Sequence, residues 1–184
     1  MEKFWKPARE QQNKLKQTQK HLALGHEYIL NNKNQVALQQ YQKASEIAKQ
    51  EGFQLEETQA YFWSGEVYRS ENESQMAIQQ YKGAFKIARK QGYNLLEAQA
   101  NLGLGDCYKS NNEKAIAIHH YETALITARE QKYKLGETRA YLGLGDCYKS
   151  NNEKATAMRH YETALVVARG QKYKLEETQA YLGL

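Results

Sequence analysis

The sequence predicts an all-α protein, an α-solenoid of stacked antiparallel helix pairs with four full repeats and the beginning of a fifth. Three observations carry that reading. A 40-residue period runs through nearly the whole of the 184 residues. Inside each period, small and apolar residues recur at the helical spacings of three and four. Gln, Lys, Glu, Ala and Leu abound while Pro7 is the single proline, a composition that favours helices over strands.

The period is plainest in its last two copies. LGLGDCYKSNNEKA occurs at Leu102 to Ala115 and again at Leu142 to Ala155. Residues 102–141 and 142–181 align without a gap and differ at eight of forty positions, among them Ile116 against Thr156, His119 against Arg159 and Glu130 against Gly170. Carried toward the amino terminus, the same period links Gly25, Gly65, Gly105 and Gly145, then Tyr28, Tyr68, Tyr108 and Tyr148. It also links Ala37, Ala77, Ala117 and Ala157, then Tyr41, Tyr81, Tyr121 and Tyr161, then Ala44, Ala84, Ala124 and Ala164.

Taken in order, residues 1–14 read as a basic leader, a vestigial repeat or cap. Ala8 to Gln11, Lys14, Leu15 and Thr18 match Ala128 to Gln131, Lys134, Leu135 and Thr138 in register. Phe4 and Trp5 would cover the first unit, with Pro7 in a first helical turn. The array itself spans 15–184, with repeats at about 15–54, 55–94, 95–134 and 135–174 and a partial one at 175–184. In the fourth repeat a first helix is expected from about Glu137 to Asn151, carrying Ala140, Tyr141, Leu144, Gly145 and Tyr148 along one side. Asn152, like Asn32, Asn72 and Asn112, suits the left-handed conformation that ends a helix. A second helix is expected from about Glu153 to Gln171, with Ala157, Tyr161, Ala164, Leu165 and Ala168 as its apolar stripe, and KYKLEET as the turn beyond it. A helix pair cannot bury its apolar side alone, so neighbouring pairs must stack. Tyr181, Leu182 and Leu184 then open a helix with no partner, as expected of a piece of a longer array.

The order Tyr141, Leu144, Gly145, Tyr148, Ala157, Tyr161, Ala164, Leu165 resembles the tetratricopeptide repeat. The long second helix, the period of 40 and the Glu-Thr-x-Ala start of the next unit resemble the subclass found in the G-protein-signalling modulators of spindle orientation. The resemblance covers residues 15–184 and implies a right-handed superhelix whose first helices line a concave face and hold a partner peptide or helix. By position the lining would be Gln59, Phe62, Glu66 and Arg69, then Gln99, Leu102, Asp106 and Lys109, then Arg139, Leu142, Asp146 and Lys149. Departures are also visible. The family's Asn-Leu-Gly-Asn core is Gly103-Leu104-Gly105-Asp106 and Gly143-Leu144-Gly145-Asp146 here, and the chaperone-type carboxylate clamp is not matched, so a scaffold is inferred without its ligand.

Chemistry finds little purchase in this sequence. GLGDCYKS mimics a phosphate loop, but Tyr108 and Tyr148 stand inside a helix where a glycine before Lys-Ser would be needed. Cys107 and Cys147 recur in register, as expected of inert, partly buried thiols rather than a disulfide framework. His120 and His160 lie one repeat apart, about 10 Å, too far to share a metal. No catalytic, metal or cofactor site is expected. All fourteen tyrosines fall at four repeat positions, where they would fill the space between units and keep a hydroxyl for a hydrogen bond.

Charge points the same way. The net +5 resides mostly in the first twenty residues, where Lys3, Lys6, Arg9, Lys14, Lys16 and Lys20 face only Glu2 and Glu10, so a basic arm and not a phosphate-binding face is expected. No apolar run is long enough to span a membrane, and a cytoplasmic setting is expected. A non-catalytic protein-binding scaffold is therefore the leading function. Its alternative is a structural array that self-associates end to end through the unfinished last repeat, and RNA binding through the leader comes third. Asp106–Lys109, Asp146–Lys149 and Glu66–Arg69 are spaced to pair within their helices or to open for a partner. Under the second possibility, Asp106→Lys and Asp146→Lys would abolish partner capture at unchanged melting temperature, whereas Ala124→Arg would disrupt the stack. Trp63 is expected to pack between units, on a different side of the helix from Phe62.

Overall fold

The computed structural model describes residues 2–184, with side chains from residue 8 onward, so the reading of Phe4, Trp5 and Pro7 as a cap lies outside the described side chains. Among the described residues there are nine α-helices and no strand. They form two compact units, Met1–Tyr93 and Asn94–Leu184. The amino-terminal unit holds α1 (Glu2–Leu30), α2 (Asn34–Glu51), α3 (Gln54–Ser70) and α4 (Ser74–Gln91). The carboxy-terminal unit holds α5 (Asn94–Ser110), α6 (Lys114–Glu130), α7 (Lys134–Ser150), α8 (Lys154–Gln171) and α9 (Lys174–Gly183). Within each unit every helix packs on the next, and the first helices of neighbouring repeats also touch, α1 on α3 and α5 on α7 on α9. Short connections make successive helices antiparallel.

The turns explain the repeat's punctuation. Asn32, Asn72, Asn112 and Asn152 all take positive φ, between 56° and 64°. The amide after each one returns to a tyrosine carbonyl, as Lys33 N does to Tyr28 O (2.8 Å) and Glu153 N to Tyr148 O (2.9 Å), the hydrogen bond that closes a helix end. The second helices end where expected, α8 at Gln171, each before a left-handed residue. Gly52 and Gly92 have φ of 76° and 72°, and the same register in the last two repeats carries Lys132 and Lys172 at 54° and 61°. A Cβ in this conformation costs about 1 kcal/mol. Lys132→Gly and Lys172→Gly should therefore each stabilise the protein by about 0.5–1 kcal/mol, read as a higher urea midpoint; an unchanged midpoint would contradict the strain.

The first helices begin earlier than the sequence reading placed them. Glu137 N bonds Tyr133 O at 3.0 Å, so α7 starts at Lys134, and α9 likewise starts at Lys174, inside the KYKLEET segment. The residue entering the helix, Tyr133, makes no side-chain cap, which removed the usual Ser, Thr or Asp signal. The leader also follows the repeat: Thr18 Oγ1 donates to Lys14 O (2.9 Å), as Thr138 Oγ1 does to Lys134 O (2.9 Å).

The core is built on tyrosines seated over glycines. Tyr41, Tyr81, Tyr121 and Tyr161 are at most 2% exposed. A Cβ at Gly105 would lie 2.6 Å from the Tyr121 ring and one at Gly143 would lie 2.4 Å from it. Tyr161 is held in the same way by Gly145 and Gly183 (2.6 and 2.5 Å). The alanine columns at 37, 77, 117 and 157 and at 44, 84, 124 and 164 are buried with them, letting helix backbones approach closely. Trp63 stands in the register of Gly143 and Gly183. It packs against the cluster of Leu22, Ala37, Tyr41 and Ala44, between the first two repeats, as expected. Its ring nevertheless meets Phe62 edge to face at 5.2 Å, because two large rings on adjacent positions reach around the helix.

Candidate functional site: the first-helix face

In the second, third and fourth repeats the buried tyrosine hydroxyl ends on an acid of the face that the sequence marks for binding. Tyr81 Oη donates to Glu66 Oε1 at 2.5 Å, Tyr121 Oη to Asp106 Oδ1 at 2.6 Å, and Tyr161 Oη to Asp146 Oδ1 at 2.8 Å. Burial first, and the neighbouring carboxylate second, push the Tyr81 and Tyr121 hydroxyls far above their usual range, so these groups act as donors at any ordinary pH. The acids thus hold the second helix of a repeat to its first.

The bases join repeats. Lys109 Nζ reaches Asp146 Oδ2 at 2.6 Å, from α5 to α7. Burial opposes the Lys109 charge, but the hydrogen bond and field of Asp146 outweigh it and hold the pKa above the ordinary value. Lys149 Nζ donates to Gly183 O on α9 (2.8 Å) and lies over the Tyr161 ring. Of the three pairs spaced to meet within a helix, Glu66–Arg69 closes at 2.8 Å; Lys109 and Lys149 reach the following first helix. The expectation that charge reversal at Asp106 or Asp146 would spare stability is corrected accordingly: each acid is the acceptor for a buried hydroxyl.

A second set of ion pairs ties α6 to α7 and α8 to α9. Glu137, buried on α7, pairs with Arg129 Nε (3.2 Å) and Lys134 Nζ (2.7 Å), and Arg129 Nη2 donates to Tyr141 Oη. Arg169 repeats this with Glu177 (3.0 Å) while stacking over Tyr181, and Arg139 holds buried Glu176 (3.3 Å).

Glu57 has the register of Glu137 and the opposite environment. Gln54 stands where Lys134 stands, so burial raises the Glu57 pKa with only partial relief from Lys49. At Glu137 burial acts in the same sense, but the bonds from Lys134 and Arg129 prevail and lower it. The signs follow. Glu137 contributes stability that is complete above its ordinary 4.5 and is lost as pH falls through its lower folded value. Glu57 favours the fold most below 4.5, and that contribution is lost as pH rises through its raised folded value. At pH 7, Glu57→Gln should raise the urea midpoint and Glu137→Gln should lower it; midpoints moving in the same direction would refute the contrast.

The twelve residues of the expected lining divide by burial. Phe62, Leu102 and Leu142 are 7–9% exposed. Phe62 packs toward Tyr81, and Leu142 belongs to a core cluster with Tyr161 and Leu165. Glu66, Asp106 and Asp146 are committed to tyrosines. Gln59, Gln99 and Lys109 are half-buried, and Arg69, Arg139 and Lys149 are exposed. The sequence reading missed the tyrosine–acid partnership, although its signal is present: an acid fifteen residues before a tyrosine recurs in three repeats.

The other chemistry-bearing residues are packed into helices. The two GLGDCYKS segments lie within α5 and α7, Cys107 and Cys147 are buried, and burial, only partly opposed by Lys109, pushes the Cys147 thiol up. His120 stacks on Tyr108 and meets Asn101 Oδ1 through Nδ1 at 2.9 Å. Among the described residues no group of three or more His, Cys, Asp or Glu could hold a metal, and no helix is long and apolar enough to cross a membrane.

This arrangement is that of a tetratricopeptide-like helical repeat protein. The tetratricopeptide repeat family model matches residues 58–91 and 138–169. No curated protein matches the sequence. Among solved structures, aspartyl phosphate phosphatase F from Bacillus subtilis superposes with a TM-score of 0.86 at 13% identity, over 92% of this chain and 45% of that one. The Rap conjugation gene regulator of the plasmid pLS20, in complex with the Phr* peptide, gives 0.64 at 17% identity, over 89% and 50%. BtubC from P. vanneervenii gives 0.63 at 16%, over 96% and 83%. The likeness is one of fold, and this chain spans about half the length of the first two.

Proposed function

We propose that this protein is a non-catalytic interaction scaffold, a cytoplasmic adaptor that holds a peptide or helix of a partner along the faces of its first helices. The observation that carries this reading is the division of labour on that face. Its acids are committed to internal hydrogen bonds, so the helices are fixed within each unit, while in the carboxy-terminal unit half-buried Gln99 and exposed Arg139 and Lys149 stand on the first helices, the last two also bonded to Glu176 and to Gly183 O. A rigid row of adaptable polar groups suits peptide recognition. The fold likeness to a Rap regulator solved with a peptide supports the class of partner, and the 40-residue period keeps the likeness to the G-protein-signalling modulators within the proposal. The test is selection of binders from a random peptide library, followed by titration against variants. Gln99→Ala combined with Lys149→Glu should weaken a selected peptide by roughly tenfold or more, while Glu122→Lys on α6 should leave it unchanged. Equal affinities for all three proteins would sink the reading.

A second reading, self-association, draws on α9, where Leu182 is 79% exposed and Tyr181 and Leu184 about half. Sedimentation over a concentration series, comparing the wild type with Leu182→Lys, distinguishes it: a mass that rises with concentration only in the wild type supports association.

A further inference from the structure

The first repeat breaks the tyrosine–acid rule, and it does so in the interior. Where Glu66, Asp106 and Asp146 accept from their tyrosines, the first repeat carries His26. Tyr41 is nevertheless buried as completely as the others, at 0% exposure, over a Gly25 whose added Cβ would lie 2.4 Å from its ring. Its hydroxyl has no hydrogen-bond partner and neither does His26 Nε2, both atoms being shut off from solvent. The two rings lie 5.7 Å apart, and the imidazole meets the edge or face of Trp63 at 4.6 Å. Three helices therefore converge on this pair: α1 through His26, α2 through Tyr41 and α3 through Trp63.

The protonation state of His26 decides whether that convergence is favourable. A neutral imidazole has an acceptor to offer at Nε2, and Tyr41 Oη is the neighbouring buried donor without a partner, so a bond between them would satisfy both atoms; a buried unpaired polar group costs about 1–3 kcal/mol. A protonated imidazole places a charge in the same enclosure. The groups around it do not answer that charge: α2 presents the tyrosine hydroxyl and α3 the Trp63 ring, and in the register of the bases Arg69, Lys109 and Lys149 α1 carries Ile29, which packs against the same cluster. No charged side chain contributes to the shift of His26, which burial alone moves downward from 6.5. A cation over Trp63 would recover up to about 2 kcal/mol, which is the opposing effect that a titration measures.

We propose that the His26–Tyr41 pair is a proton-sensitive latch, holding α1 against α2 and α3 while the imidazole is neutral and releasing the first repeat when it is protonated. The device is independent of what the first-helix faces bind. It makes the first repeat the acid-labile part of the amino-terminal unit, whereas repeats two to four use carboxylates in the same place.

The test is site-resolved, because the chain carries four other histidines, His21, His119, His120 and His160. Hydrogen exchange of the full chain, corrected for intrinsic rates, is compared at pH 7.5 and 5.5 for the wild type, His26→Asp and His26→Gln, with the His26 ring titrated by NMR. Aspartate restores the acceptor used by the other repeats, and glutamine supplies a neutral one should aspartate fail to fold. In the wild type, α1 and α2 amides should lose about tenfold in protection at the lower pH, the ratio expected one unit below an ordinary imidazole pKa of 6.5 when the folded value lies well below it. In either variant that loss should vanish while α7 and α8 behave as in the wild type. Persistence of the acid-dependent loss in the variants, or a His26 ring titrating at or above 6.5, would overturn the latch.

Discussion

Gly143→Ala should lower the stability of the carboxy-terminal unit by about 2 kcal/mol. Two effects compete. Alanine inside a helix gains up to about 1 kcal/mol over glycine. Against it, the new methyl would sit 2.4 Å from the Tyr121 ring, which Gly105 already confines from its other side at 2.6 Å. The ring has nowhere to retreat, and overpacking of this kind costs about 1–3 kcal/mol, so the steric term prevails. Urea denaturation measures the loss. Tyr121→Leu in the same background should recover part of it, because a narrower side chain accepts the methyl. Additive single and double variants would show that the two positions do not touch.

Asp146→Lys should cost about 2–3 kcal/mol. It leaves the buried Tyr161 hydroxyl without its acceptor, a loss of about 1–3 kcal/mol, and sets a second cation against Lys109, whose partner it removes. The Asp146 side chain is 46% exposed, so solvent screens the charge repulsion and the hydroxyl dominates. Asp146→Asn, which keeps an acceptor oxygen, should lose less than half as much. By contrast Lys149→Ala, which gives up only a bond to a carbonyl and an exposed ring contact, should stay within about 0.5 kcal/mol. A stable Asp146→Lys protein would restore the acid to the role of a free binding group.

Much of this fold was legible because its parts repeat. The positions of Gly105, Gly145, Tyr121 and Tyr161 are visible as a period, and the four asparagines announce the helix ends by their known tolerance of positive φ. What escaped was pairing across the period. Asp106 and Lys109 sit four residues or fewer apart and invite a local pairing, yet Lys109 gains more from Asp146 on the next first helix, a contact that exists only once repeats stack. The left-handed Lys132 and Lys172 were invisible for a different reason: lysine carries no signal for that conformation, and only Gly52 and Gly92 in the same register betray it. The candidate face was legible in outline. Its apolar members proved to be core, because spacing fixes which side of a helix a residue takes and says nothing of how deeply a neighbouring ring covers it.

The central claim is that the acid row is internal structure, each acid fastened to a buried tyrosine of its own repeat. A double-mutant cycle between Tyr161→Phe and Asp146→Ala tests it most directly. The geometry predicts a coupling of about 1–2 kcal/mol, as for a hydrogen bond to a charged group; a coupling indistinguishable from zero would contradict it.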